Sequence, residues 1–177
     1  MGRGLSRRPG AVSAELQIRR GGIADIEQLA PLWEAMWSHH ATLPQMPEMR
    51  DVGASWQMRA EQYREWLGDD GNVLLLAERN GEPVGYTVVS IGGAAPSWGG
   101  LGEKTAEIES LSVLERERGS GVGAELTRAA IDFARDGGAG SILVAAAHSN
   151  EGALGFYRRE GFEDFYVLLS RPIDEGG

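Results

Sequence analysis

The chain has 177 residues, 42% of them hydrophobic and 24% charged, with a formal net charge of −9 from 17 basic and 26 acidic side chains and no cysteine. That length suits one compact domain and that balance a chain able to bury a core; the lack of cysteine excludes disulfides, thiolate nucleophiles and cysteine-based zinc or iron–sulfur sites. The acidic excess opposes nucleic-acid phosphates, and no apolar run approaches the roughly 20 residues of a membrane-spanning helix, so neither nucleic acid nor membrane is expected as a partner.

Residues 1–14, rich in Gly, Arg and Ser, read as a loose arm without the apolar segment of a secretory leader, and a cytoplasmic protein is expected. Residues 15–20 alternate Leu16 and Ile18 with polar neighbours, the pattern of a short strand. Asp25 is the expected cap of an amphipathic helix carrying Ile26, Leu29, Leu32, Trp33, Met36 and Trp37 on one face. Residues 39–54, with Pro44 and Pro47, read as a loop, and residues 55–67 as a second helix stopped by Gly68. The β-branched runs 73–78 and 83–91 are joined by Asn80-Gly81, a strong hairpin signal.

A glycine-rich loop, 92–102, leads to a strand over 105–114. Residues 121–134 have helical periodicity, closed by Gly137 and Gly138. A strand over 141–147, a helix over 150–159 and a last strand over 162–170 follow. The order β-α-α-β-β-β-α-β-α-β implies an α/β domain, residues 15–172, with a mixed, mostly antiparallel central sheet flanked by helices, followed by a tail at 173–177.

Arg118-Gly119-Ser120-Gly121-Val122-Gly123 follows a strand and opens a helix. Its glycines admit close backbone approach, and the free N–H groups and dipole of the helix start favour an anion, although the same glycines would also serve a plain turn. A P-loop needs Gly-Lys-Ser/Thr, which is absent. Gly119 to Ala124 does satisfy G-x-G-x-x-A, but the charged run 115–118 separates it from its strand and the next strand ends Ala147-His148, without the carboxylate a ribose would need. His39 and His40 are adjacent and His148 is remote, so no pair spaced for one helical face suggests a metal.

Arg118, Gly121 and Gly123 also satisfy R-x-x-G-x-G/A. Upstream stands Ala106-Glu107-Ile108-Glu109-Ser110-Leu111-Ser112-Val113, and downstream Asn150-x-x-Ala153-x-x-Phe156-Tyr157-x-x-x-Gly161-Phe162. In this order and spacing the three motifs resemble those of the GNAT family of acyl-CoA N-acyltransferases, from residue 15 to about 172. The resemblance implies that the backbone of residues 118–123 (Arg118, Gly119, Ser120, Gly121, Val122, Gly123) cradles the pyrophosphate of acetyl-CoA. It implies too that Leu111, Ser112 and Val113 pair with the pantetheine through their backbone, with Asn150 and Phe156 completing the cofactor side. Tyr157 matches the tyrosine that protonates the departing thiolate in many members, and Glu107 or Glu109 the general base. His148 would line the same cleft.

The acceptor side would be built by the first two helices and the 92–102 loop, with Trp37, His40 and Trp98 as candidate substrate contacts. The resemblance thus implies an acetyl-CoA-dependent N-acetyltransferase acting by direct transfer in a ternary complex, without a metal or a covalent intermediate. His40-Ala-x-x-Pro44 is similar to a stretch of small-amine and aminoglycoside acetyltransferases and tilts the expected acceptor toward such amines. A protein N-terminus or lysine is the alternative acceptor, and a non-catalytic acyl-CoA-binding module the alternative function. The partners expected are a small-molecule or peptide amine and, as an assembly, a homodimer.

Overall fold

The computed structural model describes residues 15–44, 46–94, 99 and 101–171. The arm at 1–14, the tail at 173–177 and Trp98 lie outside them. The chain divides after Ala145 into two compact units.

The first unit is built on a five-stranded sheet in the order β1 (Gln17–Gly21), β2 (Asn72–Arg79), β3 (Glu82–Ala94), β4 (Lys104–Val113), β5 (Ser141–Val144). All neighbours are antiparallel except β4 and β5, so the sheet is mixed and mostly antiparallel, as the sequence implies. Asn80 and Gly81 hold φ of 53° and 80°, the positive pair a two-residue hairpin demands. Val73 to Ala77 are all buried, which explains why β2 reads as an unbroken apolar run: both its faces are covered.

Around the sheet lie a 3-10 helix (Ile23–Leu29), α1 (Ala30–Ala41), α2 (Val52–Trp66) and α3 (Val122–Asp136). Successive residues of β3 face opposite sides. A Cβ on Gly85 would meet Val122 and Leu126 of α3 at 3.0 and 3.2 Å, whereas the Tyr86 ring lies against Tyr63 of α2. Ile26, Leu29, Leu32, Ala60 and Tyr63 pack with Leu74, Leu76, Tyr86 and Val88 into one core. Among the described residues no helix is long and apolar enough to cross a membrane.

Several boundaries differ from the sequence reading. Asp25 does not cap the first helix; Gly22 does, and Asp25, one turn in, accepts the Gly22 N–H at 2.8 Å and a two-pronged bond from Arg19. The segment opens as 3-10 and becomes α at Ala30, where Pro31 occupies a first-turn position that needs no N–H. The second helix begins at Val52 because Asp51 accepts the Ala54 N–H. β5 stops at Val144 rather than 147.

The second unit contains α4 (Glu151–Arg159), capped by Asn150, whose side chain accepts the Ala153 N–H at 3.0 Å. Gly161, at φ 91°, ends it with Phe162 N–H donating to the Tyr157 carbonyl at 3.0 Å. The strand expected over 162–170 is absent: the segment has no regular structure and exposes Val167, Leu168 and Leu169. Apolar patterning makes a strand possible, but only an edge that receives its N–H and C=O groups makes it one.

Candidate active site

β4 carries the site's geometry. On its β5 side it is paired only from Thr105 to Ile108, because β5 ends at Val144, while β4 itself runs on to Val113. On its β3 side Val88 opposes Ser110 and Val89 opposes Ile108, leaving Glu109 as the extra residue of a bulge. Three hydroxyls hold this bulge. Ser110 Oγ donates to the Glu109 carbonyl at 2.7 Å, Tyr63 donates to Ser110 Oγ at 2.7 Å, and Thr87 Oγ1 donates to the Ser110 carbonyl at 2.9 Å. The Tyr63 and Tyr86 hydroxyls lie 3.1 Å apart, and burial pushes both phenols up, so they stay protonated as donors.

Glu107 is exposed and Glu109 half-buried. Ser90 Oγ donates to Glu109 Oε1 at 2.7 Å. Partial desolvation, with the negative charge of Glu109 adding to it, raises the Glu107 carboxyl above the ordinary glutamate range. A raised carboxyl is a stronger base once ionised, which suits it to removing a proton near neutrality.

Ser112 and Leu111 lie beyond the last β4–β5 pair, as does Val113. The Ser112 side chain is buried and donates to the Leu32 carbonyl of α1 at 2.7 Å, so it ties α1 to β4 and leaves the ligand role at this position to the backbone. The strand then turns through a short 3-10 segment, Glu115–Glu117, into the glycine loop. Gly119 and Gly121 hold φ of 76° and 90°, and among the described residues no atom beyond the chain neighbours lies within 4 Å of where a Cβ would stand on either. Gly121 is the cap of α3, so the amides of Gly121, Val122, Gly123 and Ala124 precede the first intrahelical bond, made by Glu125 to the Gly121 carbonyl at 3.0 Å. Arg118 and Ser120 are exposed, and Ser120 Oγ donates to the Glu117 carbonyl, which steadies the turn. An open row of amide donors at a helix start is suited to a phosphate.

Trp37 and His40 stand three residues apart on α1. The Trp37 indole N–H is buried without an acceptor among the described residues, and His40, half-buried beside His39, has its imidazole pKa lowered by burial first and by His39 second. In the second unit, His148 is exposed, Asn150 is buried as the α4 cap, and Phe156 stacks edge-on against Tyr157, which also meets Phe162. Burial pushes the Tyr157 phenol up to about 12.

Sequence reasoning missed the bulge and its supports, Tyr63, Thr87, Ser90 and Ser110. No local pattern marks them, since Tyr63 and Ser110 meet only across the fold.

Residues 33–162 match the model of the acetyltransferase (GNAT) family. The uncharacterized N-acetyltransferase YhfO of Bacillus subtilis is 27% identical over 150 residues, which span 84% of this chain and 91% of that one. The uncharacterized N-acetyltransferase MJ1207 of Methanocaldococcus jannaschii is 34% identical over 114 residues, 62% of this chain, which spans about half (47%) of that relative's length. A solved GCN5-related N-acetyltransferase from Ralstonia eutropha superposes with a TM-score of 0.73 at 21% identity, covering 90% of this chain and 99% of the other. Aminoglycoside acetyltransferase AAC(6')-Iy, solved with a bisubstrate analogue of CoA and acetylneamine, superposes at 0.69 with 20% identity, covering 90% and 99%. At such identities the two structures speak for a shared fold.

Proposed function

Because the chain belongs to the acetyltransferase (GNAT) family, we propose that it transfers an acetyl group from acetyl-CoA to a primary amine, directly and within a ternary complex. One observation carries the reading. The open glycine cradle at the start of α3 follows in sequence the stretch of β4 whose edge β5 leaves unpaired, so a phosphate site and a free strand edge lie on one short run of chain. Amides of residues 118–123 would take the pyrophosphate, and backbone groups of Leu111, Ser112 and Val113 would pair with the pantetheine arm and hold the thioester carbonyl.

Within this reading Glu107 or Glu109 takes the proton from the attacking ammonium, directly or through water, and the raised Glu107 carboxyl is suited to that task. Tyr157, kept protonated by burial, gives a proton to the departing thiolate. Asn150 caps the helix that bears this tyrosine, and Phe156 and His148 are assigned to the same cleft. Trp37, His40 and Trp98 are assigned to the acceptor, within a domain taken as residues 15–172 that works in the cytoplasm. Small amines are the favoured acceptors, in keeping with the aminoglycoside enzyme among the structural neighbours.

The experiment is thermal unfolding in parallel with acetyl-CoA, CoA and NADH, followed by an amine panel. Binding at about 100 times Kd adds roughly 2.7 kcal/mol, a shift of about 5–10 °C for a domain of this size. A shift with both CoA species but not NADH, followed by turnover of an amine, is expected. A shift with NADH alone would overturn the reading, and CoA binding without turnover of any amine would favour an acyl-CoA-sensing module.

A further inference from the structure

The inward face of α2 carries Trp56, Ala60, Tyr63 and Trp66 against the core, and Arg59 falls at the same helical spacing among them. A guanidinium in such a stripe needs compensation. Three rings surround it: its central carbon lies 5.0 Å from the centre of Trp33 on α1, and 5.7 Å from Tyr63 and from Trp66. The π-faces attract the charge, yet they accept nothing at the N–H edge. Among the described arginines, Arg19, Arg64, Arg79, Arg128, Arg135 and Arg158 pair with carboxylates and the others are exposed, whereas Arg59 is half-buried and has no ion pair or hydrogen bond with any described residue. The Trp33 indole N–H, in the same cluster, is buried and also has no acceptor among the described residues.

The cluster adjoins the reacting end of the site. Tyr63, on whose ring Arg59 lies, donates to Ser110, the residue after Glu109. Glu109 pairs with Ser90 and not with Arg59, so a carboxylate suited to an amine and a guanidinium suited to an anion flank one tyrosine without neutralising each other. A planar guanidinium held among rings offers a two-pronged fork for a carboxylate. The net charge of −9 disfavours a multiply charged anion in its place.

We infer that Arg59 determines acceptor specificity by binding a carboxylate on the acceptor, so that the preferred substrates are amino acids or other amines bearing a carboxylate rather than purely cationic amines. This rests on the transferase reading given above and keeps its small-amine acceptor, but replaces the polycationic aminoglycoside type by a carboxylate-bearing one.

The test uses the full chain as wild type and as two variants of one position, Arg59→Met, which keeps an unbranched stem on the rings without charge, and Arg59→Lys, which keeps charge without the fork. Acetylation is measured for the α-amino acids, β-alanine and γ-aminobutyrate against their amides, and binding of the same compounds is measured by calorimetry in the presence of CoA. Expected is a kcat/KM for at least one acid about ten-fold or more above its amide, carried mainly by KM. That preference should vanish in Arg59→Met and persist in part in Arg59→Lys, with the thermal shift by acetyl-CoA unchanged. Amides or polycationic amines used as well as every acid, a preference surviving in Arg59→Met, or no acid bound at all would overturn the inference while leaving the transferase reading in place. Loss of the acetyl-CoA shift in the wild type would instead remove that reading, and the calorimetric comparison of acids with amides would still decide the role of Arg59.

Discussion

The Tyr63 phenol reaches across the core and donates a 2.7 Å hydrogen bond to Ser110 Oγ, which joins α2 to β4 one residue past the bulged Glu109. The strand that bears the candidate base is therefore positioned by a helix with which it shares no local sequence relation. Tyr63→Phe keeps the ring and removes the bond, leaving the Ser110 and Tyr86 hydroxyls short of a partner in a buried setting. A loss of about 1–3 kcal/mol in unfolding free energy is expected by urea titration. A change below about 0.5 kcal/mol would show that the bond does not support the fold.

Tyr157→Phe removes the proposed proton donor while keeping its packing against Phe156 and Phe162. Turnover should fall by roughly ten- to a thousand-fold with acetyl-CoA affinity nearly intact, as expected for loss of a general acid. An unchanged kcat would sink the assignment.

Glu109 raises the Glu107 carboxyl, after the larger effect of its own desolvation. Removing that negative charge with Glu109→Gln lowers the Glu107 pKa, so the acid limb of the kcat/KM profile should move to lower pH if Glu107 is the base. Glu107→Gln should instead abolish that limb. A profile that keeps its acid limb in Glu107→Gln and loses it in Glu109→Gln would transfer the role to Glu109.

Asp25 is held below its ordinary value of 3.8, first by the hydrogen bond from Arg19 and next by the Gly22 N–H. A carboxyl depressed by folding adds stability above its unfolded pKa, and that stability is lost as pH falls through the folded value. Asp25→Ala should cost about 1 kcal/mol at pH 7 as a lost helix-start bond, and the gap to wild type should narrow as pH falls below the ordinary carboxyl value of 3.8 and through the lowered folded one. Chemical denaturation at pH 7 and pH 3 measures both points; a gap of equal size at the two would contradict this account.

Gly121 sits at φ 90° with open space where a Cβ would point. Gly121→Ala should therefore cost roughly 1–2 kcal/mol through backbone strain alone. It should also reduce the thermal shift given by acetyl-CoA, because the methyl group enters the proposed pyrophosphate cradle. An undiminished shift would place the phosphates elsewhere.

Much of the fold was legible because its signals are local. Asn80-Gly81 specifies a turn by its own φ angles, the apolar run of β2 announces a doubly covered strand, and the glycines at 119, 121 and 123 announce a helix start with bare amides. Where the reading missed, the missing information was a partner. Asp25 looks like a cap until Arg19 and Gly22 are seen to claim it from one turn inside the helix. Residues 162–170 have the composition of a strand, yet they form none in the described structure.

The sequence alone determined the family, the mixed α/β sheet and the two stretches of backbone proposed to hold acetyl-CoA, since these depend on residue types at short, fixed spacings. Tertiary structure alone decided that β4 bulges at Glu109, that Tyr63 supports it, and that Arg59 lies among three rings with no carboxylate partner among the described residues. Those depend on which side chains meet across tens of residues, and such meetings are settled only when the helices and strands pack.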